Sequence, residues 1–475
     1  MLARKLLAAT ALVAIAAPAF AGDINPVINT STDLANDLRG VAFAADGSIY
    51  ASGHAGTVNE ETRFVLAHFN ADGTLDTGFS DDGIAELDIA PGRQEQSLAV
   101  ATLSDGDVVA AVYAVDEDGG QSIYLVRFDS TGTQRVAPEW GDEAGLVEVV
   151  FGWANADNES FPGVEAPPTD TAWDLQVDRT GGEEKLVVFG MGSAASGTNR
   201  VDVDRYVVRL NNDGTPDASF NGGVPFTFHS AGALGDNARR GLIEADGSIL
   251  SAGYTNLGDG LGNHVVLIRL HPDGTIDESF GGFVDPESSA TAVGLVATPG
   301  VAVFNPFVGD GGFAECYAVA KLSDGSYVTT GYGGATGNGV ASSLGYATTQ
   351  APDLVSFRVA GTALDTAWGN GGTQAIQSEG HGQPTAEERG RHVIGLPDDR
   401  TVHVGRYGGI AAVYVLNADG TPDTTQHGDG IIQLGHPTIN SQFFGAALSP
   451  DGTRIALTTN ANEFGARLVV LEIGE

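Results

Sequence analysis

Six side chains stand where chemistry could be done: Arg39, Arg239, Arg240, Arg391, Trp173 and Tyr317. Each lies at or near the start of an apolar, strand-like run. Arginine offers a planar fork of donors that fits a carboxylate, sulfate or phosphate, and it stays charged at any ordinary pH. Several guanidinium groups drawn from distant parts of the chain would make a positive focus for such an anion. The competing account is local pairing. Asp37, Asp236 and Glu388 stand close in sequence and could neutralise Arg39, the Arg239–Arg240 pair and Arg389 with Arg391 one by one.

Catalytic patterns are fainter. There is no G-x-S-x-G elbow for acyl transfer. Glycoside hydrolysis needs two convergent carboxylates. Glu244, Glu315 and Glu388 stand near suitable strand starts, but with 61 acidic residues some such pair must arise by chance. Tyr317, Arg391 and His392 are residue types that a polysaccharide lyase could use at a channel mouth. Zinc has little support: Cys316 is the lone cysteine, and His392 and His403 lie in a strand-like run rather than on a helix. The glycine-rich run 331–339 leads to no helix, so it reads as a loop rather than a dinucleotide site. Asn-x-Asp-Gly-x-x-Asp turns offer oxygen ligands, yet the EF-hand spacing is absent and turn chemistry accounts for the residues. No cofactor is expected, with calcium in these turns as the alternative.

Composition narrows the class. The chain has 475 residues, a formal net charge of -38 and one cysteine. Such an acidic surface argues against nucleic acid, which needs a basic footprint. One cysteine allows no internal disulfide, so packing must supply the stability.

These residues are positioned by a repeat. Arg63 to Ile84 reads as an apolar strand, a turn at Asn70-Ala71-Asp72-Gly73, a second turn at Asp76 and a buried Phe79. Clear copies run from Tyr206 to Gly223 and from Val266 to Gly282, with weaker ones at Tyr124, Val355 and Val413. Asx-Gly tolerates the positive φ of a tight hairpin, and the later Asp can accept backbone N–H groups. Phe79, Phe220, Phe280 and Trp368 are expected to plug the space between units, with His427 as a weaker plug in the sixth. Arg127, Arg209, Arg269 and Arg358 recur at one position and read as a packing device. Before each copy comes an apolar strand, an Asp-Gly turn and another apolar strand that often ends in Gly, as in Gly40 to Gly53. About seven four-strand units follow, which predicts an all-β, seven-bladed β-propeller of four-stranded antiparallel blades.

The Asn-x-Asp-Gly-x-x-Asp-x-x-Phe-Gly run after a VARL-like strand resembles the delta-sixty repeat of bacterial surface and secreted proteins. Arg205 to Gly222 and Ile268 to Gly281 match it best. The resemblance implies a propeller-like architecture and no defined activity.

The chain ends fit this plan. Residues 1–21 read as a secretory signal: Arg4 and Lys5, the apolar Leu6 to Ala17, then Ala19-Phe20-Ala21. That predicts a mature single domain, 22–475, in the periplasm or outside the cell, without a membrane span. The last unit stops one strand short, so Ile24 to Asn29 is expected to supply it and close the ring. In such a ring the Asp-Gly turns share one face and the long connections share the other. Trp153, Phe161, Phe304, Phe307, Phe313, Tyr332 and Tyr346 are expected exposed on the long-loop face. Binding belongs on loops held by a rigid scaffold. The expectation is a monomeric secreted binding protein that takes a small anionic ligand, a glycan or a protein partner at the channel mouth. An extracellular hydrolase or lyase is the alternative.

Overall fold

Two turns recur along the chain. At the first, Gly73 takes φ 78°. Asn70 N donates to Thr74 O at 2.8 Å, and Asp72 Oδ1 accepts Thr74 N at 3.0 Å. At the second, Asp76 Oδ1 accepts Gly78 N at 2.9 Å and turns the chain so that Phe79 is wholly buried. The pattern recurs with Asp217 to Ser219 N at 3.0 Å, Asp277 to Ser279 N at 3.0 Å and Asp423 to Thr425 N at 3.1 Å. Each turn thus satisfies its backbone donors from its own side chains.

The computed structural model describes residues 24–32, 37–56, 61–117, 119–151, 169–193, 203–230, 235–257, 262–284, 297–307, 312–334, 352–376, 388–434, 441–459 and 466–474. The expected secretory signal, Trp153, Phe161 and Tyr346 lie outside these residues. Seven antiparallel sheets stand around one axis. Their innermost strands are Asp37–Phe43, Glu95–Thr102, Thr171–Asp178, Gly235–Ile243, Phe313–Lys321, Arg389–Gly395 and Phe443–Leu448, which define blades 1 to 7. Each innermost strand touches that of the next blade, and blade 7 returns to blade 1. Two blades exceed four strands: Phe283–Val284 pairs in parallel with Val301–Phe304 in blade 4, and Ala363–Leu364 joins blade 5. Among the described residues no helix is long and apolar enough to cross a membrane.

The core lies between blades. Apolar clusters fill the interfaces, such as Trp140, Phe151 and Tyr206 between blades 2 and 3. Phe220 and Trp368 are each 1% exposed, as a plug requires. The recurrent arginine ties the turns of its blade to that plug. Arg209 bonds Asp217 at 2.7 Å and lies 5.0 Å over the Phe220 ring. Arg127 pairs with Asp107 at 2.8 Å and stacks over Trp140 at 5.5 Å.

The ring closes as the chain ends predict. Strand Ile24–Thr32 pairs antiparallel with Ala466–Ile473, from Ile24 opposite Ile473 to Thr32 opposite Ala466. One plug is corrected here. Counting three residues on from the turn aspartate, as at Asp217 and Phe220, leads to Gln426 rather than His427. Gln426 is 1% exposed, while His427 takes a positive φ of 51°, as Asn221 beside Phe220 takes 46°. Gln426 replaces the aromatic because this blade needs a buried acceptor, and Gln426 Oε1 takes the bond from Ile24 N at 2.9 Å. Gln426→Ala should strand that buried N–H and cost about 1–3 kcal/mol in urea unfolding. An unchanged midpoint would show that the bond does not hold the closing strand.

Candidate functional site

Every innermost strand carries a β-bulge at its entry. The register slips between Leu38 and Gly40, Ser97 and Ala99, Ala172 and Asp174, Ala238 and Gly241, Cys316 and Ala318, Gly390 and His392, and Phe443 and Gly445. The residues set free are Arg39, Leu98, Trp173, Arg239 with Arg240, Tyr317, Arg391 and Phe444. A bulge re-aims the side chain it releases. These residues line a single cavity at the long-loop end of the channel. The six residues singled out from sequence are all among them; Leu98 joins them, and Phe444 completes the ring.

Around the ring, cation and aromatic alternate. Arg239 lies 3.8 Å over Trp173 and 5.2 Å from the Tyr317 centroid. Arg391 lies 4.9 Å from Tyr317 and 5.2 Å from Phe444. Arg39 follows, 4.4 Å over Phe444. Leu98 separates Arg39 from Trp173. Aromatic faces stabilise a cation by about 0.5–2 kcal/mol each and accept no hydrogen bonds from its N–H edge. Stacked guanidinium groups are therefore held with donors still to give.

Local pairing accounts for two of the four arginines. Arg39 bonds Asp37 at 2.7 Å, and Arg240 meets Asp174 at 3.3 Å. Asp236 turns away from the arginines and accepts Ser230 N at 2.7 Å. Among the described residues no carboxylate pairs with Arg239 or Arg391. Arg239 donates to Tyr254 Oη at 2.7 Å, and Arg391 reaches only Gln442 Oε1 at 3.4 Å. Nε and Nη1 of Arg239 and Nε of Arg391 are shut from solvent without an acceptor. Burial, reinforced by the guanidinium of Arg389 and those of Arg239 and Arg39, pushes Arg391 down to about 9. A guanidinium remains charged at neutral pH, so Arg391 carries its charge there against burial first and like-charged neighbours second.

The ring narrows the channel. Its cavity is about 30 Å³, which at ~10–15 Å³ per water admits little more than one small oxyanion group. Wider spaces of about 250 and 180 Å³ lie below it. Arg240 borders all three spaces and crosses to Phe444 O at 3.3 Å.

Other expectations fare differently. Phe304 and Phe307 are buried, not exposed. Phe304 belongs to the outer strand of blade 4 and packs edge-on against Phe357 at 5.3 Å. Phe313 and Tyr332 are half-buried against each other, centroids 5.3 Å apart. The oxygens of the turn aspartates are engaged by their own turns, as in Asp72 Oδ1 with both Thr74 N at 3.0 Å and Thr74 Oγ1 at 2.6 Å. Tyr317 Oη donates to Glu315 Oε2 at 2.6 Å. His392 does not join Tyr317 at the mouth; it lines the wider spaces beneath.

The family described as a β-propeller domain of unknown function (DUF5122) matches residues 44–79, 103–134, 194–220 and 244–280. The chain is a β-propeller protein. No curated protein matches its sequence. Solved structures similar to this propeller include a protein of unknown function from Dyadobacter fermentans, 12% identical over 95% of this chain and 99% of that one, with a TM-score of 0.44. A puromycin-hydrolyzing peptidase from Mycobacterium tuberculosis is 14% identical over 92% of this chain and 51% of that one, with a TM-score of 0.43. A glucose dehydrogenase is 13% identical over 94% and 99%, with a TM-score of 0.41. Likeness at this level carries nothing about the chemistry of the propeller.

Proposed function

We propose that the protein is a secreted propeller that binds a small anionic group at the long-loop mouth of its central channel. The observation that carries this is the bulge repeated in all seven blades. Packing a propeller does not require every innermost strand to turn one residue into the channel. Nor does it require two of the half-buried arginines, Arg239 and Arg391, to stand there without carboxylates among the described residues. A preorganised ring of donors that repel each other is complete only when an anion arrives. A carboxylate, sulfate or phosphate suits both the donors and the space. The repeat's likeness to the delta-sixty family of bacterial secreted proteins, and the leader-like residues 1–21, support a periplasmic or extracellular setting.

A lyase at this mouth would need a base beside the anion. Tyr317 already donates to Glu315, and burial pushes its hydroxyl well up, which favours binding over proton abstraction.

Thermal-shift titration of the mature protein tests the reading, with sulfate and glucuronate set against chloride and glucose at constant ionic strength. A ligand present at 100 times its Kd adds about 2.7 kcal/mol of stability. Sulfate or glucuronate should raise the melting temperature, and Arg239→Ala or Arg391→Ala should lose that rise. Equal responses to glucose and glucuronate, or unchanged responses in both variants, would refute an anion site here.

A further inference from the structure

A second cluster lies between blades 3 and 4, outside the arginine ring. Asp204 is the second residue of strand Val203–Asn211, His229 follows the outer strand Phe226–Phe228, and Asp236 is on the innermost strand of blade 4. Both carboxylates are buried, at 2% and 0% exposure. His229 Nδ1 lies 3.7 Å from Asp204 Oδ1 and 3.4 Å from Asp236 Oδ2. One ligand atom from each of the three lies within 4.8 Å of the other two. The imidazole edge is half-open to solvent, yet Nδ1 itself is enclosed and makes no hydrogen bond.

These separations exceed the ~2.9–3.0 Å typical of an N–H···O bond. The 3.4 Å separation falls on the edge of a coordination tetrahedron and the 3.7 Å one just beyond it, since bonds of ~2.0–2.2 Å at the tetrahedral angle hold neighbouring ligand atoms roughly 3.3–3.6 Å apart. One imidazole and two carboxylates form a mixed donor set that zinc accepts, with a fourth position left for water. The repeat provides an internal comparison. Glu95, Asp170 and Glu388 stand near the same point of other blades and, like Asp236, accept backbone N–H groups, from Phe64, Ser193 and Gly408. Asp236 alone is thus a latch that the fold already explains. Blades 1, 2, 4 and 6 have Arg63, Ser122, His264 and Ile410 where blade 3 has Asp204, while blade 5 repeats the buried carboxylate with Asp353, so His229 is what blade 3 adds beside the pair. The neighbouring Arg205 places its bonds on the carbonyls of Asn237, Ser251 and Val266 rather than on either carboxylate.

We propose that Asp204, His229 and Asp236 bind a divalent metal ion, Zn2+ by their donor set, which clips the outer edge of blade 3 to the innermost strand of blade 4. The test uses the full mature protein, stripped with chelator and titrated with Zn2+ alone by calorimetry. One ion per chain should bind and raise the melting temperature. His229→Ala, a half-exposed change that leaves the core intact, should weaken binding at least about tenfold, and Asp204→Asn should do the same. Co2+ in place of Zn2+ should show the intense visible absorption of a tetrahedral site in the parent and not in His229→Ala. Absence of a Zn2+ isotherm, or an isotherm unchanged in His229→Ala, overturns the proposal.

Discussion

A chain lacking residues 22–32 will unfold far below the mature protein and will self-associate. Among the described residues, strand 24–32 alone covers the outer edge of blade 7, and it pairs with Ala466–Ile473 along nearly its whole length. At ~0.5–1.5 kcal/mol per ladder bond, its loss costs on the order of 5 kcal/mol. The whole stability of a domain is about 5–15 kcal/mol. Ile24 also leaves the apolar cluster between blades 6 and 7, and Gln426 loses the N–H it accepts across that interface. The bared strand then offers a row of unpaired groups to a second chain. Calorimetry reads the first effect and light scattering on a sizing column the second. A peptide of residues 22–32 added in trans should restore much of the melting temperature by strand addition. A truncated chain that melts like the parent would mean that closure contributes little and that the blade interfaces hold the ring unaided.

The same strand shows what a single sequence makes legible. The Asn-x-Asp-Gly-x-x-Asp turns repeat because each must satisfy its own backbone donors, so their spacing counts the blades. The missing outer strand at one end and the unassigned strand at the other then dictate closure. Gln426 is harder to place, because a polar residue at a plug position breaks the pattern for the sake of one distant bond. Phe304 and Phe307 mislead for a related reason. The outer strand of blade 4, Val301–Phe304, comes far along a connection that reads as loop, so its aromatics look exposed when they are core.

The ring residues can be chosen from sequence by their place at strand starts, but the bulge that aims them cannot be read from alternation. It does leave a trace in the second strand of five blades, at Gly53, Gly190, Gly253, Gly331 and Gly405. A Cβ at Gly53 would come within 1.8 Å of Asp37 O, and one at Gly405 within 1.7 Å of Arg389 O. In these five blades the displaced carbonyl of the bulge occupies the side-chain position and favours glycine, while blades 2 and 7 have Val112 and Thr459 there. The strand-final glycine is therefore a mark of the channel mouth rather than of a turn. Asp204, His229 and Asp236 leave no such mark, because they come from two blades and share no spacing.

That aiming has an energetic signature. Arg391→Met will stabilise the ligand-free protein and abolish most anion binding. In the native ring Arg391 faces the channel, enclosed by protein, with its nearest charges Arg389, Arg239 and Arg39 all of its own sign. Replacing a charge that lacks a carboxylate partner by an apolar chain of similar length removes repulsion and desolvation together, and keeps the stem packed against Tyr317 and Phe444. Channel water screens part of the repulsion, so a gain of about 1–2 kcal/mol is expected. Loss of one charge-assisted hydrogen bond to a bound anion costs about 1.5–3 kcal/mol, or roughly 10- to 100-fold in affinity. The two effects have opposite signs, which separates a binding residue from a structural one. Arg209, held between Asp178 and Asp217, is the control: Arg209→Met leaves two buried carboxylates unpaired and must destabilise the fold. If Arg391→Met also lowers the melting temperature of the ligand-free protein, the arginine ring is scaffolding, and the anion must bind elsewhere on the propeller.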